Sequence, residues 1–467
     1  MKVQLSRRQW LAAAGGLSAT AALPSSTHAA EPTVPGPSPA RWPIHSSGGH
    51  DYKGVEPGQP GRDYTPVHVP GGAKLPWKIV DGVKVYHLIA EEVEHEFAPG
   101  LKARCWGYNG GVHGPLIEAV EGDRVRVYVT NRLPAPTTVH WHGVFLVNGM
   151  DGVGGITQPV IKPGETYRYE WTFRQSGTLM YHPHHDEMTQ MAMGMMGLIV
   201  VHPRGVPKAE RADRDFAILL SEWKIEPGAR RPDPMAMNDF NLLTMNGKCF
   251  PGTESLVAKL GDKIRIRFGN LSAMDHHPIH LHGFYFNVVG TDGGEIPSSA
   301  RWPETTVLVP AGTTRDIEFV ADAEGDWPMH CHMTHHLMNQ MGHGLPNVMG
   351  VDLSDLDERM RKLVPGYMSM GATGMGEMAE MSMDGPANSL STYFAPGQYD
   401  PITMGGMFTL VKVRKDWDGK GDPGWYPHPP ETRARVASAE ELSRDGIESP
   451  NLPLPPSSEA GHGGHNP

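Results

Sequence analysis

The chain is built from one unit used twice. Gly122-Asp123 recurs as Gly261-Asp262, and Asn131 as Asn270, each 139 residues on. His142 recurs as His282 after 140 residues; Gly177, His182 and His184 recur as Gly325, His330 and His332 after 148. Self-similarity at a steady period marks a duplicated structural unit, so a fold assigned to the first copy must also serve the second. Inside a copy the pattern is strand-like. Residues 116–120 and 124–129 alternate apolar and polar side chains around the turn Glu121-Gly122-Asp123, and residues 167–173 alternate again. Gly 56 and Pro 43 in 467 residues suit a turn-rich chain. These features predict an all-β protein with two Greek-key β-sandwich domains, at 78–203 and 213–352.

The flanks do not follow the repeat. Arg7-Arg8 precedes a mild, Gly/Ala-rich apolar run to about Leu23 and small residues near Ala29-Ala30. That is the pattern of a twin-arginine export signal over 1–30, and the run is too short to span a bilayer. No other stretch is long and apolar enough to span one, so the expected product is periplasmic or secreted. Residues 31–77 form a Pro/Gly-rich arm with little periodicity. Residues 353–467 make a long Met-rich, then Pro-rich, C-terminal extension, with Met368, Met370, Met375, Met378, Met381, Met383, Met404 and Met407 at irregular spacing. Thioethers bind Cu(I), but a loop packed on apolar surface fits equally. Residues 408–413 read as one further strand. A net charge of −11 without a basic cluster excludes nucleic acid as a partner. Of the three cysteines, Cys105 and Cys249 are either a disulfide or two separate buried thiols.

Cys331 belongs to the densest chemistry in the chain, His330-Cys331-His332-Met333-Thr334-His335-His336, running on to Met341. Two imidazoles, a thiolate and a weak thioether suit copper. In an extended strand the neighbours of Cys331 point away from its own face, so one peptide can serve two metal environments back to back. Three further paired stretches are His140-Trp141-His142, His182-Pro183-His184 and His277-Pro278-Ile279-His280-Leu281-His282. The duplication also supplies a negative. Thr137, Pro183, Met188 and Met193 stand where the second copy has His277, Cys331, His336 and Met341. The first copy therefore lacks three of the four donors of a blue-copper site, the thiolate among them.

On these motifs, residues 80–350 resemble the multicopper oxidases, the laccase family. The resemblance implies the cupredoxin fold and four copper ions: one type 1, one type 2 and two type 3. It implies His277, Cys331, His336 and axial Met341 for type 1, and His140 and His280 for type 2. For the type 3 pair it implies His142, His182, His184, His282, His330 and His332. Asp151 matches the family's acidic residue for proton delivery; Asp186 and Glu187 have no counterpart and read as a solvated turn. The implied reaction couples one-electron oxidation of a reductant (a phenolic or aromatic compound, or a metal ion such as Cu(I) or Mn(II)) to reduction of O2 to water. Only 93 residues separate His184 from His277, too few for a third domain. The chain therefore resembles the two-domain small laccases, whose clusters form between subunits of a homotrimer. A nitrite reductase, with type 1 copper in the first domain, is excluded by Thr137 and Pro183. The alternative from another class is a non-catalytic periplasmic copper-binding or copper-tolerance protein.

Overall fold

The computed structural model describes residues 52, 54–226, 228–237, 240–337, 362–363, 395–399, 402 and 404–448. The expected export signal, Met341 and the methionines from Met368 to Met383 lie outside them.

The first domain comprises β1 (Trp77–Val80), β2 (Val83–Ala98), β3 (Leu101–Tyr108), β4 (Ile117–Val120), β5 (Arg124–Asn131), β6 (Thr166–Thr172), β7 (Gly177–Tyr181) and β8 (Gly197–His202). One sheet runs β1-β2-β5-β6 with β3 on β2, and the facing sheet runs β4-β8-β7. Strand β5 shows why. Val125, Val127 and Val129 point into the sandwich with no exposure, while Arg124, Arg126 and Tyr128 alternate outward. Each such buried aliphatic contributes about 1.5–3 kcal/mol. A six-residue helix, α1 (Glu187–Ala192), links β7 to β8.

The second domain begins with β9 (Arg214–Trp223), β10 (Leu242–Met245), β11 (Leu256–Lys259), β12 (Lys263–Asn270), β13 (His277–Leu281) and β14 (Phe286–Thr291). It continues with β15 (Gly294–Glu295), β16 (Trp302–Glu304), β17 (Thr306–Val309), β18 (Thr313–Val320), β19 (Gly325–Cys331) and β20 (Phe408–Arg414). Strand β9 pairs parallel with β12 as β2 does with β5, and β11 with β20 as β4 does with β8. The duplication is thus carried into the topology, and both copies are cupredoxin-like sandwiches.

The boundary expected at 352 is revised. Strand β20 lies between β11 and β19 in the sheet, and Val411 and Val413 are fully buried in its core. The Met-rich stretch is therefore an insertion inside the second domain rather than a tail after it. Sequence periodicity found the strand at 408 but had no means of assigning its partners, which lie more than seventy residues back.

The arm is also more than a connector. Val67 N–H donates to Glu118 of the first domain (2.8 Å), and His68 pairs with the second through Asp215 and Ala217 (2.7 and 3.0 Å). Tyr64, Val67 and Leu75 are buried. The two domains meet at a buried, hydrogen-bonded ion cluster. Arg267 spans Asp215 (2.8 and 2.9 Å) and Asp316 (3.0 Å), and donates to Thr178 Oγ1 (3.0 Å), whose own hydroxyl donates to Asp316 (2.7 Å). Cys105 and Cys249 are buried in one apolar cluster; burial pushes the Cys105 thiol up to about 12.

Candidate metal centres

Strand β19 presents two faces at its end. On one, Cys331 Sγ lies 3.3 Å from His336 Nδ1 and 3.8 Å from His277 Nδ1, and those two nitrogens are 3.1 Å apart. His277 comes from the start of β13, and His336 from the single turn Thr334–Leu337. All three residues are buried and their donor atoms converge within a metal's reach. His336 is fully buried and its neighbour His335 is exposed, which separates two residues that the sequence leaves ambiguous.

Burial sets the chemistry of this pocket. It drives His277 down to about 3, with His336 and His276 adding to the effect, and lowers His336 as well. Both shifts favour the neutral imidazole, the form that can bind a metal. Burial pushes the Cys331 thiol up to about 12, so only a bound cation would draw off its proton. Ser272 Oγ lies 2.6 Å from His277 Nε2 and fixes that ring. Behind His336, Asp275 Oδ2 is 3.7 Å from Nε2, and the buried Glu222 faces Asp275. Burial, and then the hydrogen bond and charge of Asp275, raise Glu222 to about 8. Glu222 Oε2, Asp275 Oδ2 and His336 Nε2 are all buried without another partner. A proton on Glu222 lets the acid donate to Asp275, whose carboxylate in turn stands 3.7 Å from the His336 ring nitrogen. Nothing in Ser221-Glu222-Trp223 signals this, because the three residues come from separate elements.

On the other face, His330 and His332 join His280 and His282. The four rings touch pairwise at centroid distances from 4.8 to 5.7 Å, and His282 Nε2 is 3.1 Å from His330 Nε2. The first domain builds the same half-site from His140, His142, His182 and His184, with centroids from 5.3 to 6.2 Å apart. Second partners aim the rings alike in both copies. His182 Nδ1 donates to the Pro183 carbonyl (2.8 Å) and His330 Nδ1 to the Cys331 carbonyl (2.9 Å). His140 Nδ1 donates to the Asp151 carbonyl (2.8 Å) and His280 Nδ1 to the Thr305 carbonyl (2.7 Å). Each bond fixes Nδ1–H and leaves Nε2 as the donor toward a metal. Among the described residues, no ring contact joins the two half-sites.

The acidic residues differ in part from expectation. The Asp151 carboxylate is 3.5 Å from His140 Nδ1, behind the ring. Gly152 follows at φ +86°, and a Cβ there would sit 1.7 Å from the Val139 carbonyl, so only glycine lets this loop close on the histidine strand. Glu187 does not belong to a merely solvated turn. Its carboxylate lies 3.3 Å from His182 Nδ1 and 3.8 Å from His184 Nε2, because helix α1 turns it back over the half-site. In the first copy the place of the sulfur pocket is filled. Thr137 donates to Gln190 (2.6 Å), Gln190 donates to the Pro136 carbonyl (2.9 Å), and Arg231 Nε reaches Met193 Sδ (3.4 Å).

The multicopper oxidase family models match residues 90–205 and 226–348, together half of the chain. Copper resistance protein A of Escherichia coli is 30% identical over 242 residues, 42% of this chain and 40% of that protein. Laccase-19 of Oryza sativa subsp. japonica is 33% identical over 243 residues, 48% of this chain and 40% of that protein. The chain spans about two-fifths of the length of these curated relatives. Among solved structures, the blue copper oxidase from Nitrosomonas europaea is similar at 26% identity and a TM-score of 0.51, over 70% of this chain and 85% of that one. The multicopper oxidase mgLAC is similar at 28% and 0.53, over 74% and 90%. A sulfur-bearing pocket backed by four imidazoles, in a duplicated cupredoxin-like frame, agrees with these matches, and the chain belongs to the multicopper oxidase family, in its laccase-like form.

Proposed function

We propose that the protein is a copper-dependent oxidase that takes single electrons from a reductant and uses four of them to reduce O2 to two waters. The observation that carries this is the division of β19: Cys331 faces His277 and His336, while His330 and His332 face four-imidazole chemistry behind it. The residues fit copper, since a buried thiol and neutral Nδ1 donors converge on one side and Nε2 donors on the other. His277, Cys331 and His336 would hold the type 1 ion. His140 and His280 would hold type 2, and the remaining six histidines the type 3 pair. Bound copper would supply the one-electron redox steps and the place where O2 is reduced. The chain supplies the path between the sites: the Cys331 backbone, with its carbonyl accepting from His330 Nδ1 at 2.9 Å. Asp151 and Glu187, beside His140 and His182, are the acids within reach of the half-site for proton delivery.

Among the described residues no ring contact joins the two half-sites of a chain, which supports a cluster completed between a first domain of one subunit and a second domain of another. Exposed apolar side chains flank both: Phe145, Val147 and Ile156 on the first domain, and Leu308, Trp302 and Met333 on the second. A head-to-tail contact of this kind closes into a ring, here a homotrimer. Export by the twin-arginine signal to the periplasm or outside is part of the same proposal. The reductant is a phenolic or aromatic compound or a metal ion, Cu(I) or Mn(II). A non-catalytic copper-binding role is disfavoured, since storage has no use for two aligned half-sites.

Copper-loaded protein should show an intense blue absorption, four coppers per chain, and O2 uptake on adding a reductant. A colourless protein with one copper per chain would defeat the proposal. Cu(I), Mn(II) and a phenol should be compared as donors in the full chain and in a variant lacking 366–394. The deletion has to stop short of 404, because residues 405–407 are bonded to the Cys331 pocket.

A further inference from the structure

Trp141 stands between His140 and His142 as Cys331 stands between His330 and His332. Its counterpart in the repeat is Leu281, and the pairing agrees: His140 opposes His182 as His280 opposes His330. On β6, Trp171 and Tyr169 oppose Val125 and Val127; on β18, Phe319 and Ile317 oppose Ile264 and Ile266. The second domain thus fills three core places with Leu281, Ile317 and Phe319, all buried. The sandwich needs neither an indole nor a phenol at any of them. The first domain puts Trp141, Tyr169 and Trp171 there, also buried.

The rings lie in contact. The Trp141 centroid is 4.9 Å from that of Trp171, with the planes 47° apart, and 5.3 Å from that of Tyr169, edge to face. Buried indole N–H groups usually find a hydrogen-bond partner. Among the described residues neither Trp141 Nε1 nor Trp171 Nε1 has one, and a buried polar group left in that state calls for a reason. The Tyr169 hydroxyl differs, donating to Gln158 Oε1 (2.7 Å). Trp141 has no exposure and Trp171 has 7%, so the indole pair runs from the histidines to the edge of the core. The half-sites also differ in electron supply. The second has Cys331 on its own strand, whereas the first has Pro183 at that place. Indole is among the side chains most readily oxidised by one electron; the side chains of Leu, Ile and Phe are not.

We propose that Trp141 and Trp171 form a one-electron reserve for the histidine half-site of the first domain. This rests on the reading that O2 is reduced at these histidines. Reduction to two waters takes four electrons and four protons. When the reductant has delivered three electrons, the Trp141 indole supplies the fourth and becomes a radical cation. No bond breaks at the ring, and the proton stays on Nε1, because no described group accepts it. One electron from Trp171 then restores Trp141, and one from reductant in solution restores Trp171, so the reductant has still supplied four. Tyr169 keeps its proton, since the Gln158 amide is no base, and the radical stays on the indoles.

The test gives full-length, copper-loaded protein three electron equivalents per chain, mixes it with O2 and reads the freeze-quenched EPR spectrum. An organic radical is expected that narrows with ring-deuterated tryptophan and not with ring-deuterated tyrosine. Trp141→Leu, the residue the second domain uses, should abolish it at equal copper content. Trp171→Phe should keep it on Trp141 and lengthen its lifetime several-fold, because the route to outside reductant is cut. Peptide mapping after repeated turnover at limiting reductant should find oxidised tryptophan in the parent, and oxidised His140 or His142 in Trp141→Leu. The labelled parent and Trp171→Phe decide the matter where Trp141→Leu does not take up copper. No radical in the parent, a tyrosine radical, or a tryptophan radical that survives Trp141→Leu overturns the proposal. A parent that consumes no O2 overturns the oxidase reading itself, which O2 uptake alone reveals.

Discussion

Cys331 and His336 show how much a single side chain's surroundings matter. Burial lowers the His336 ring and pushes the Cys331 thiol up, while the adjacent His335 stands in solvent. His336→Ala should abolish the blue absorption of copper-loaded protein while His335→Ala leaves it intact; equal effects would contradict the pocket described. Glu222 gives a pH prediction for the metal-free protein. Its folded value is raised to about 8 from 4.5 by burial, so its contribution is fully present below pH 4.5 and is lost as pH rises through 8. In Glu222→Gln that loss should vanish, flattening the urea midpoint over the same window. The buried histidines act in the opposite sense. His277 and His182 are both held down to about 3 by burial, so the stability they contribute is present above pH 6.5 and falls as the medium is acidified toward 3. In the Glu222→Gln apo protein, where the opposing carboxyl is removed, a midpoint that rises on going from pH 7 to pH 5 would contradict the burial of these rings.

Among the elements, β20 has the largest consequence. It fills the middle of a sheet whose neighbours, β11 and β19, would otherwise expose unpaired backbone and the core around Val411 and Val413. A chain cut at 352 should therefore lack a cooperatively folded second domain, as seen by proteolysis or calorimetry. The chain lacking 366–394 should fold, since it keeps both ends of the insertion. Should the short chain fold and bind copper, the strand assignment is wrong.

At the scale of the molecule, two sandwiches are locked by a buried ion cluster and an arm that pairs with both. All three nitrogens of Arg267 are bonded, to Asp215, Asp316 and Thr178. Arg267→Ala leaves two carboxylates buried without their cation and should cost about 3–5 kcal/mol in unfolding experiments. The separation of the half-sites leads to a complementation test. His140→Ala/His142→Ala chains and His280→Ala/His282→Ala chains should each be inactive. Co-assembled in equal amounts, they should recover about a quarter of the parent activity, since head-to-tail rings pair intact first and second domains at that frequency. No recovery in verified mixed oligomers would place the complete cluster within one chain.

Much of this was legible before any coordinates. Strand patterning and the repeat give the two sandwiches, because alternation and duplication are local properties. The alternation of His330, Cys331 and His332 gives a strand with two chemical faces, because side-chain direction follows from backbone geometry. What the sequence could not decide is everything that depends on distant residues meeting. The return of β20 across the insertion, the clasp of the arm, the row Glu222-Asp275-His336 and the reach of Glu187 to His182 each join segments with no shared local pattern. Register and burial exist only once the chain has folded, and in this protein they decide which rings are kept from water and which acids face the histidines.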